Sequence, residues 1–189
     1  MNTPSLSEQE ILRRAKKKEL EALGIDPYPA PTFETNTTAK AILDNYANNP
    51  AAYQQVALAG RLMSRRIMGS AAFVELQDET GKIQLYVHRD SICSKEDKTL
   101  YNTVFKRLLD IGDIVGVQGY VFVTQTGVTS VHITQLTLLA KALKPLPVVK
   151  EVVEDGKKKT FYAFTDPEQR YRQRYVDLIV HPPVRTVFQ

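Results

Sequence analysis

The clearest pattern along the chain is the alternation in "AAFVELQDETGKIQLYV", two period-2 runs around a polar, glycine-containing turn from Asp78 to Gly81. Pairing the runs across that turn sets Phe73 opposite Tyr86, Glu75 opposite Gln84 and Gln77 opposite Lys82. Val74, Leu76, Ile83 and Leu85 then face a core, so two aromatic residues sit among amides and charges on the side a hairpin normally gives to solvent.

Upstream, Ser5 or Ser7 with Glu8 or Glu10 three residues later predicts a capped helix running to about Leu23, stopped by Gly24 and Pro27. Its apolar stripe of Ile11, Leu12, Ala15, Leu20 and Leu23 is expected to pack inward, leaving a basic cluster outside. A proline-rich connector, "DPYPAPTFETN", precedes a short helix over Thr38 to Tyr46. The pattern becomes β-rich with "VALAGRLMSRRIMG", which leads into the hairpin. A helix follows in which Leu100, Val104 and Leu108 share a face, with Ser94 and Asp97 before it and Gly112 after it. The strands "DIVGVQGYVFVT" and "VTSVHITQLTLLA" complete the series around the turn "TQTG". Three strands, a helix and two strands is the order of an OB-fold, a five-stranded Greek-key β-barrel, so the fold class is mainly β with flanking helices.

Four segments are expected. Residues 1–50 form a basic helical extension and 51–147 the barrel. Residues 148–165 are a charged insert, "EVVEDGKKKT" being a loose hairpin or loop, and 166–189 begin a further region with the helical "DPEQRYRQRYVDLIV".

The 189 residues carry a net charge of +4, a modest excess that permits nucleic-acid binding without requiring it. The distribution says more: Arg13, Arg14, Lys16, Lys17 and Lys18 lie together, then Arg61, Arg65 and Arg66, then Arg170, Arg172 and Arg174. No apolar run reaches the roughly 20 residues of a membrane helix, and the N-terminus has no signal-peptide core. A single cysteine, Cys93, fits a reducing cytoplasm and reads as a half-buried loop thiol.

Catalytic constellations are missing from the pattern. Cys/His metal spacing, a phosphate-cradling glycine loop and a nucleophile elbow are all absent. His132, between Val131 and Ile133, reads as a hydrogen-bonded structural histidine, while Asp78 and Glu79 belong to a turn. OB-folds bind nucleic acids and sugars across the face of strands 2 and 3, where Phe73 lies with Glu75, Gln84 and Tyr86. There Phe73 offers a stacking platform and Gln84 a base-edge partner, with Arg65 and Arg66 close upstream to meet phosphates or a base plane. The other reading is a Phe73–Tyr86 cross-strand pair covered by a loop or the N-terminal helix, and the residues alone leave both open.

Four stretches, "AGRLMSRRIMGSAAFVELQDETGKIQLYV", "YNTVFKRLLDIGDIVGVQG", "KALKPLP" and "DPEQRYRQRYVDLI", together resemble the bacterial class II lysyl-tRNA synthetases. The resemblance runs from the N-terminal helix to the end of the chain. A Phe and a Gln on strands 2 and 3 also occur in the related aspartyl and asparaginyl enzymes, whereas "RRIMG" and "RYRQRYVDLI" look lysyl. It implies that the barrel reads the tRNA(Lys) anticodon: Phe73 stacking on a base, Gln84 bonding the central uridine, and Arg66 contacting a neighbouring base or the backbone. Arg13, Arg14, Lys16, Lys17 and Lys18 would meet the tRNA backbone. Val128 departs from the pattern, because several relatives carry an acidic residue after this "TG".

The three class II catalytic motifs do not occur, and "HPPVRTVFQ" resembles the segment before the first of them. The resemblance therefore implies the N-terminal portion of a longer cytoplasmic, homodimeric ligase. ATP, Mg2+ and L-lysine would bind only in that full-length parent, leaving no catalytic residue, cofactor or metal for these 189 residues. A non-specific single-strand-binding module and a protein-docking module remain the rival readings of the same face.

Overall fold

The structure, a computed structural model, describes residues 6–147, 149–154, 157–162 and 164–188. The chain divides into two compact units, one ending at Lys144 and the other beginning at Pro145.

In the first unit, helix α1 spans Glu8–Ala22. Ser7 Oγ accepts from the Glu10 amide at 3.3 Å, and the Glu10 carboxylate accepts from the Ser7 amide at 3.0 Å, so the capping box forms at Ser7. At the other end Gly24 takes φ +76°, and the amides of Gly24 and Ile25 return to the carbonyls of Glu21 and Leu20. The inward face is not the one the apolar stripe predicts. Arg13 is 6% exposed and Leu20 fully buried, while Ile11 is 56% exposed and Leu12 and Leu23 also face out. The reason lies in what the helix packs against. Arg13 donates to the carbonyls of Ile111 at 2.9 Å and Ala142 at 3.0 Å, and Lys16 reaches Asp110 at 2.5 Å. Charge-assisted bonds to carbonyls and a carboxylate favour the basic face over the apolar one.

Helix α2 spans Ala39–Asn45, capped by Thr38. The Asp78 carboxylate in the first hairpin turn accepts from the Ala39 amide at 2.6 Å while also closing its own turn with Thr80 and Gly81. The turn aspartate thus ties hairpin to helix, which accounts for it structurally.

The barrel strands are β1 Val56–Met68, β2 Ala71–Gln77, β3 Lys82–His88, β4 Ile114–Val123 and β5 Thr129–Ala140. They close in the order β1-β2-β3-β5-β4, β1 pairing with both β2 and β4, which is the expected OB architecture. The hairpin register is the one that alternation predicts, Phe73 facing Tyr86 and Glu75 facing Gln84. Inside lie Leu58, Leu62, Val74, Leu76, Leu85 and Val117.

A one-turn helix, α3 Arg89–Ile92, follows β3. The next helix, Leu100–Leu108, is a π-helix rather than the α-helix its spacing suggests, and the Leu109 amide reaches back five residues to Val104 at 2.9 Å. The wider turn brings Tyr101 and Phe105 into the core beside Val104 and Leu108.

The second unit holds a two-stranded antiparallel hairpin, β6 Val149–Glu154 with β7 Lys157–Tyr162; its predicted tip at 155–156 lies outside the described residues. Three short helices follow: α4 Pro167–Arg172, α5 Arg174–Val180 and α6 Pro182–Phe188. The fully buried Asp177 accepts from Arg170 at 2.8 Å and Arg174 at 2.7 Å, and lies 2.6 Å from His181 Nδ1. Burial would raise its carboxyl, but the bonds from Arg170 and His181 outweigh that and hold it below the usual carboxylate range.

Candidate nucleic-acid interface

Register across the barrel places Arg66 opposite Phe73, Phe73 opposite Tyr86, Tyr86 opposite His132, and His132 opposite Tyr120. One line of side chains therefore crosses all five strands on the outer face. A second line, one pleat along, runs Ser64, Glu75, Gln84, Ser130 and Phe122.

Irregularities in the strands set these lines. The pairing of β1 with β2 shifts between Leu62 and Ser64, leaving Met63 as the extra residue of a bulge. The shift turns Arg66 outward and Arg65 the other way, opposite Val74. Arg65 then donates to the Phe105 carbonyl and lies over the Phe105 ring at 5.5 Å. Arg61 similarly donates to the Gly112 carbonyl at 2.7 Å. Burial lowers both guanidinium pKa values from their ordinary range. Of the three arginines on β1, Arg66 alone stays exposed on the aromatic line. A second irregularity, between Gln118 and Gly119, sets Tyr120 against His132. A Cβ at Gly119 would lie 2.0 Å from the His132 carbonyl oxygen, so the strands can approach there only with glycine.

The rings form a connected group. Phe73 and Tyr86 lie 5.3 Å apart at 50°, Tyr86 meets His132 edge-on at 5.1 Å, and Phe122 packs on Tyr86 at 5.9 Å. Phe73 and Tyr86 are both half-buried, so a cross-strand pair and a partly open face coexist. A partly open ring with neighbouring amides can take a base on its remaining surface while the pair holds it in place. Gln84 is half-buried beside the line, and Glu75 pairs with Lys82 at 2.7 Å. Tyr120, Phe122 and His132 are members that alternation in the first hairpin does not reveal. Their even-numbered parity in β4 and β5, opposite to Val121, Val131 and Ile133, is the signal that could have found them.

Beyond the aromatic face, the β4–β5 turn is closed by Gly127 at φ +80° and exposes Val128 by 42%. The basic cluster of α1 is not gathered there. Arg13 is buried, Lys16 pairs with Asp110, Lys17 pairs with Glu21 at 2.5 Å, and Arg14 bonds the Glu10 carbonyl at 3.1 Å. Lys18 is exposed. Among the described residues no group of three or more His, Cys, Asp or Glu side chains is placed to hold a metal ion, and no helix is long and apolar enough to cross a membrane.

Residues 56–139 match the family described as the OB-fold nucleic acid binding domain. The chain is 55% identical over 189 residues to a lysine–tRNA ligase of Porphyromonas gingivalis, covering 100% of this chain and 32% of the ligase. It is 51% identical over 183 residues to the lysine–tRNA ligase of Azobacteroides pseudotrichonymphae, covering 97% of this chain and 36% of that protein. For the ligase of Christiangramia forsetii the identity is 49% over 183 residues, covering 97% of this chain and 31% of the ligase. The chain thus spans about a third of the length of the curated relatives it matches.

Proposed function

We propose that this chain, whose residues 56–139 match the OB-fold nucleic acid binding domain family and whose five strands close into a barrel, reads the anticodon of tRNA(Lys) as the N-terminal part of a lysine–tRNA ligase. The observation that carries the reading is the line from Arg66 through Phe73 and Tyr86 to His132, with Gln84 one pleat away. It combines a partly open ring, an amide able to donate and accept, and one outward cation, which suit an unstacked base with its phosphate. Similarity to the lysine–tRNA ligases over nearly the whole chain supports tRNA(Lys) as the target. Phe73 takes the stacking role, Gln84 the base edge and Arg66 a neighbouring base or phosphate, with Glu75 and Tyr86 bordering the site. Arg65 contributes by bracing the π-helix. Of the α1 cations, Lys18 and Arg14 are best placed for backbone phosphates.

The proposal extends to the parent protein. Residues 51–147 serve as the anticodon domain, 148–165 as an insert, and 166–189 as the approach to a catalytic region that joins lysine to tRNA using ATP and Mg2+, in a cytoplasmic homodimer. In this reading ATP and Mg2+ would be bound by that region of the parent.

Titration of the 189-residue chain with a lysine anticodon stem–loop, a loop substituted at its central uridine, and poly-dT tests the reading. Preference for the uridine-centred loop is the expected result. Equal affinity for poly-dT would instead indicate non-specific single-strand binding, and binding that persists undiminished in high salt would point to a protein partner. Lysine-dependent ATP–pyrophosphate exchange by this chain alone is expected to be absent.

A further inference from the structure

We propose that His132 is a positioning residue for the base-binding face, fixing the Tyr86 ring against which Phe73 is supported. The inference rests on the anticodon reading and extends it to a side chain that need not touch RNA.

His132 is held at both ring nitrogens by hydroxyls from different elements. Nε2 lies 2.9 Å from Ser91 Oγ on α3, and Nδ1 lies 2.7 Å from the Tyr120 hydroxyl on β4. A neutral imidazole has one donor and one acceptor, and each hydroxyl can take either role, so the set is satisfied in either tautomer. Rotating the ring away would break both bonds. Thus clamped, the imidazole meets Tyr86 edge-on at 5.1 Å and 88°, and Tyr86 in turn leans on Phe73 at 5.3 Å. Phe122 presses on Tyr86 from β4 at 5.9 Å, and His88 stacks beside it at 6.3 Å. A base placed on Phe73 therefore meets a ring stack whose far end is already immobile, which reduces the ordering cost of binding.

The surroundings favour the uncharged ring. Burial, then the neighbouring His88, lowers the His132 pKa from its ordinary value. The groups facing it are Tyr86 and His88 from β3, Tyr120 and Phe122 from β4, and Ser91 from α3, whose charged residues Arg89 and Asp90 pair with each other. None of these is a carboxylate bonded to the imidazole. Protonation turns both nitrogens into donors, so the hydroxyl that had donated to the bare nitrogen must turn its hydrogen away and accept instead.

The test uses the 189-residue chain with the uridine-centred stem–loop and the loop substituted at its centre, titrated between pH 5 and 8 at two salt concentrations. His132→Phe keeps a ring and removes both bonds. It is expected to lower affinity for the uridine-centred loop about three- to tenfold, the worth of one hydrogen bond in a binding constant, with the substituted loop and the salt slope unchanged. Wild-type discrimination between the loops should decline as acid protonates His132, persist in that form in His88→Asn, and lose its pH dependence in His132→Phe. His132→Gln, which retains one donor and one acceptor, should recover part of the discrimination; if His132→Phe does not fold, the intermediate value of His132→Gln carries the same test. Wild-type discrimination and pH profile in both His132 variants, alongside a loss in Phe73→Ala, would overturn the positioning role and leave the anticodon reading standing. Loops bound alike by the wild type, with no loss in Phe73→Ala, would bring down that reading and this proposal with it.

Discussion

Where α1 meets the segments flanking β4 and β5, Arg13 closes on the Ile111 and Ala142 carbonyls, and Lys16, Asp110, Asp113 and Lys141 close on one another; across the outer face of β1, β2 and β3, Arg66, Phe73, Gln84 and Tyr86 remain partly open. The first region holds more charge, and it was the basic cluster there that the sequence marked for phosphate. Yet its charges face inward. Lys141 is buried between Asp110 at 2.7 Å and Asp113 at 2.9 Å, and Asp113, fully buried, also accepts from the amides of Asp110 and Ala142. Burial pushes the Asp113 carboxyl above its ordinary value against the pull of Lys141, while the combined bonds of Lys141 and Lys16 overcome burial at Asp110 and lower it. The second region carries one outward arginine and keeps its ring surfaces half-exposed. Counting cations along a chain measures supply; which carbonyls and carboxylates lie within reach decides where they point.

The sharpest way to separate the two regions is to remove Lys141. Lys141→Ala leaves Asp113 buried without its counter-ion and should cost about 3–5 kcal/mol of folding stability, measured by urea denaturation. The affinity of the remaining folded protein for the lysine anticodon loop should not change. Gly119→Ala strikes the aromatic face through the backbone, because its methyl group must displace the His132 carbonyl. It should cost at least about 1–3 kcal/mol of stability and, unlike Lys141→Ala, also reduce loop binding. Next, Phe73→Ala should remove about 1–3 kcal/mol of loop affinity, the value of one base–aromatic stack. Its stability loss should fall below the roughly 3–5 kcal/mol of a fully buried Phe. A full buried-Phe penalty with unchanged loop binding would erase the distinction between the regions.

Smaller effects complete the series. Neutralising Arg14 and Lys18 should weaken binding to all tRNAs alike and lower the salt slope by about 1 for each phosphate left without its cation. Neutralising Arg13 should instead appear in the melting curve. The least effect is the acid response of His132. Its folded pKa is lowered, so the unfolded ring takes its proton first, near the ordinary 6.5. The stability linked to the neutral ring is present above that pH and is lost as pH falls through the lowered folded value. His132→Phe should flatten that part of the pH–stability curve.

Strand order and hairpin register were legible because period-2 alternation admits one pairing that buries Val74, Leu76, Ile83 and Leu85 together. Capping of α1 was legible for a similarly local reason, the structure choosing Ser7 over Ser5, whereas the role of Thr38 as cap of α2 was not read from the sequence. The face of α1 was not, since hydrophobic periodicity assumes an apolar surface opposite, and the surface that receives α1 offers the Ile111 and Ala142 carbonyls. Nor could alternation place Arg65 and Arg66, which a uniform strand leaves ambiguous until the extra residue is located. The aromatic line was half legible: Phe73, Gln84 and Tyr86 emerged from one hairpin. Tyr120 and His132 join only through the β3–β5 pairing and the bulge that leaves Thr134 of β5 unpaired beside Gly119, which depend on residues far apart in sequence.

The bulge at Met63 gives β1 two reading frames, much as a vernier carries a second scale. Before it, odd and even positions follow one assignment of inside and outside; after it, the assignment is reversed. Were Met63 instead taken into the ladder opposite Glu75, as in a regular strand, every arginine and the charge of the protein would be untouched, yet Arg65 would come to the face opposite Phe73 and Arg66 would pass behind it. For this strand, whether one residue stands in or out of the ladder decides where the charge lies, and the spelling "RR" ensures that a cation arrives on the face in either frame.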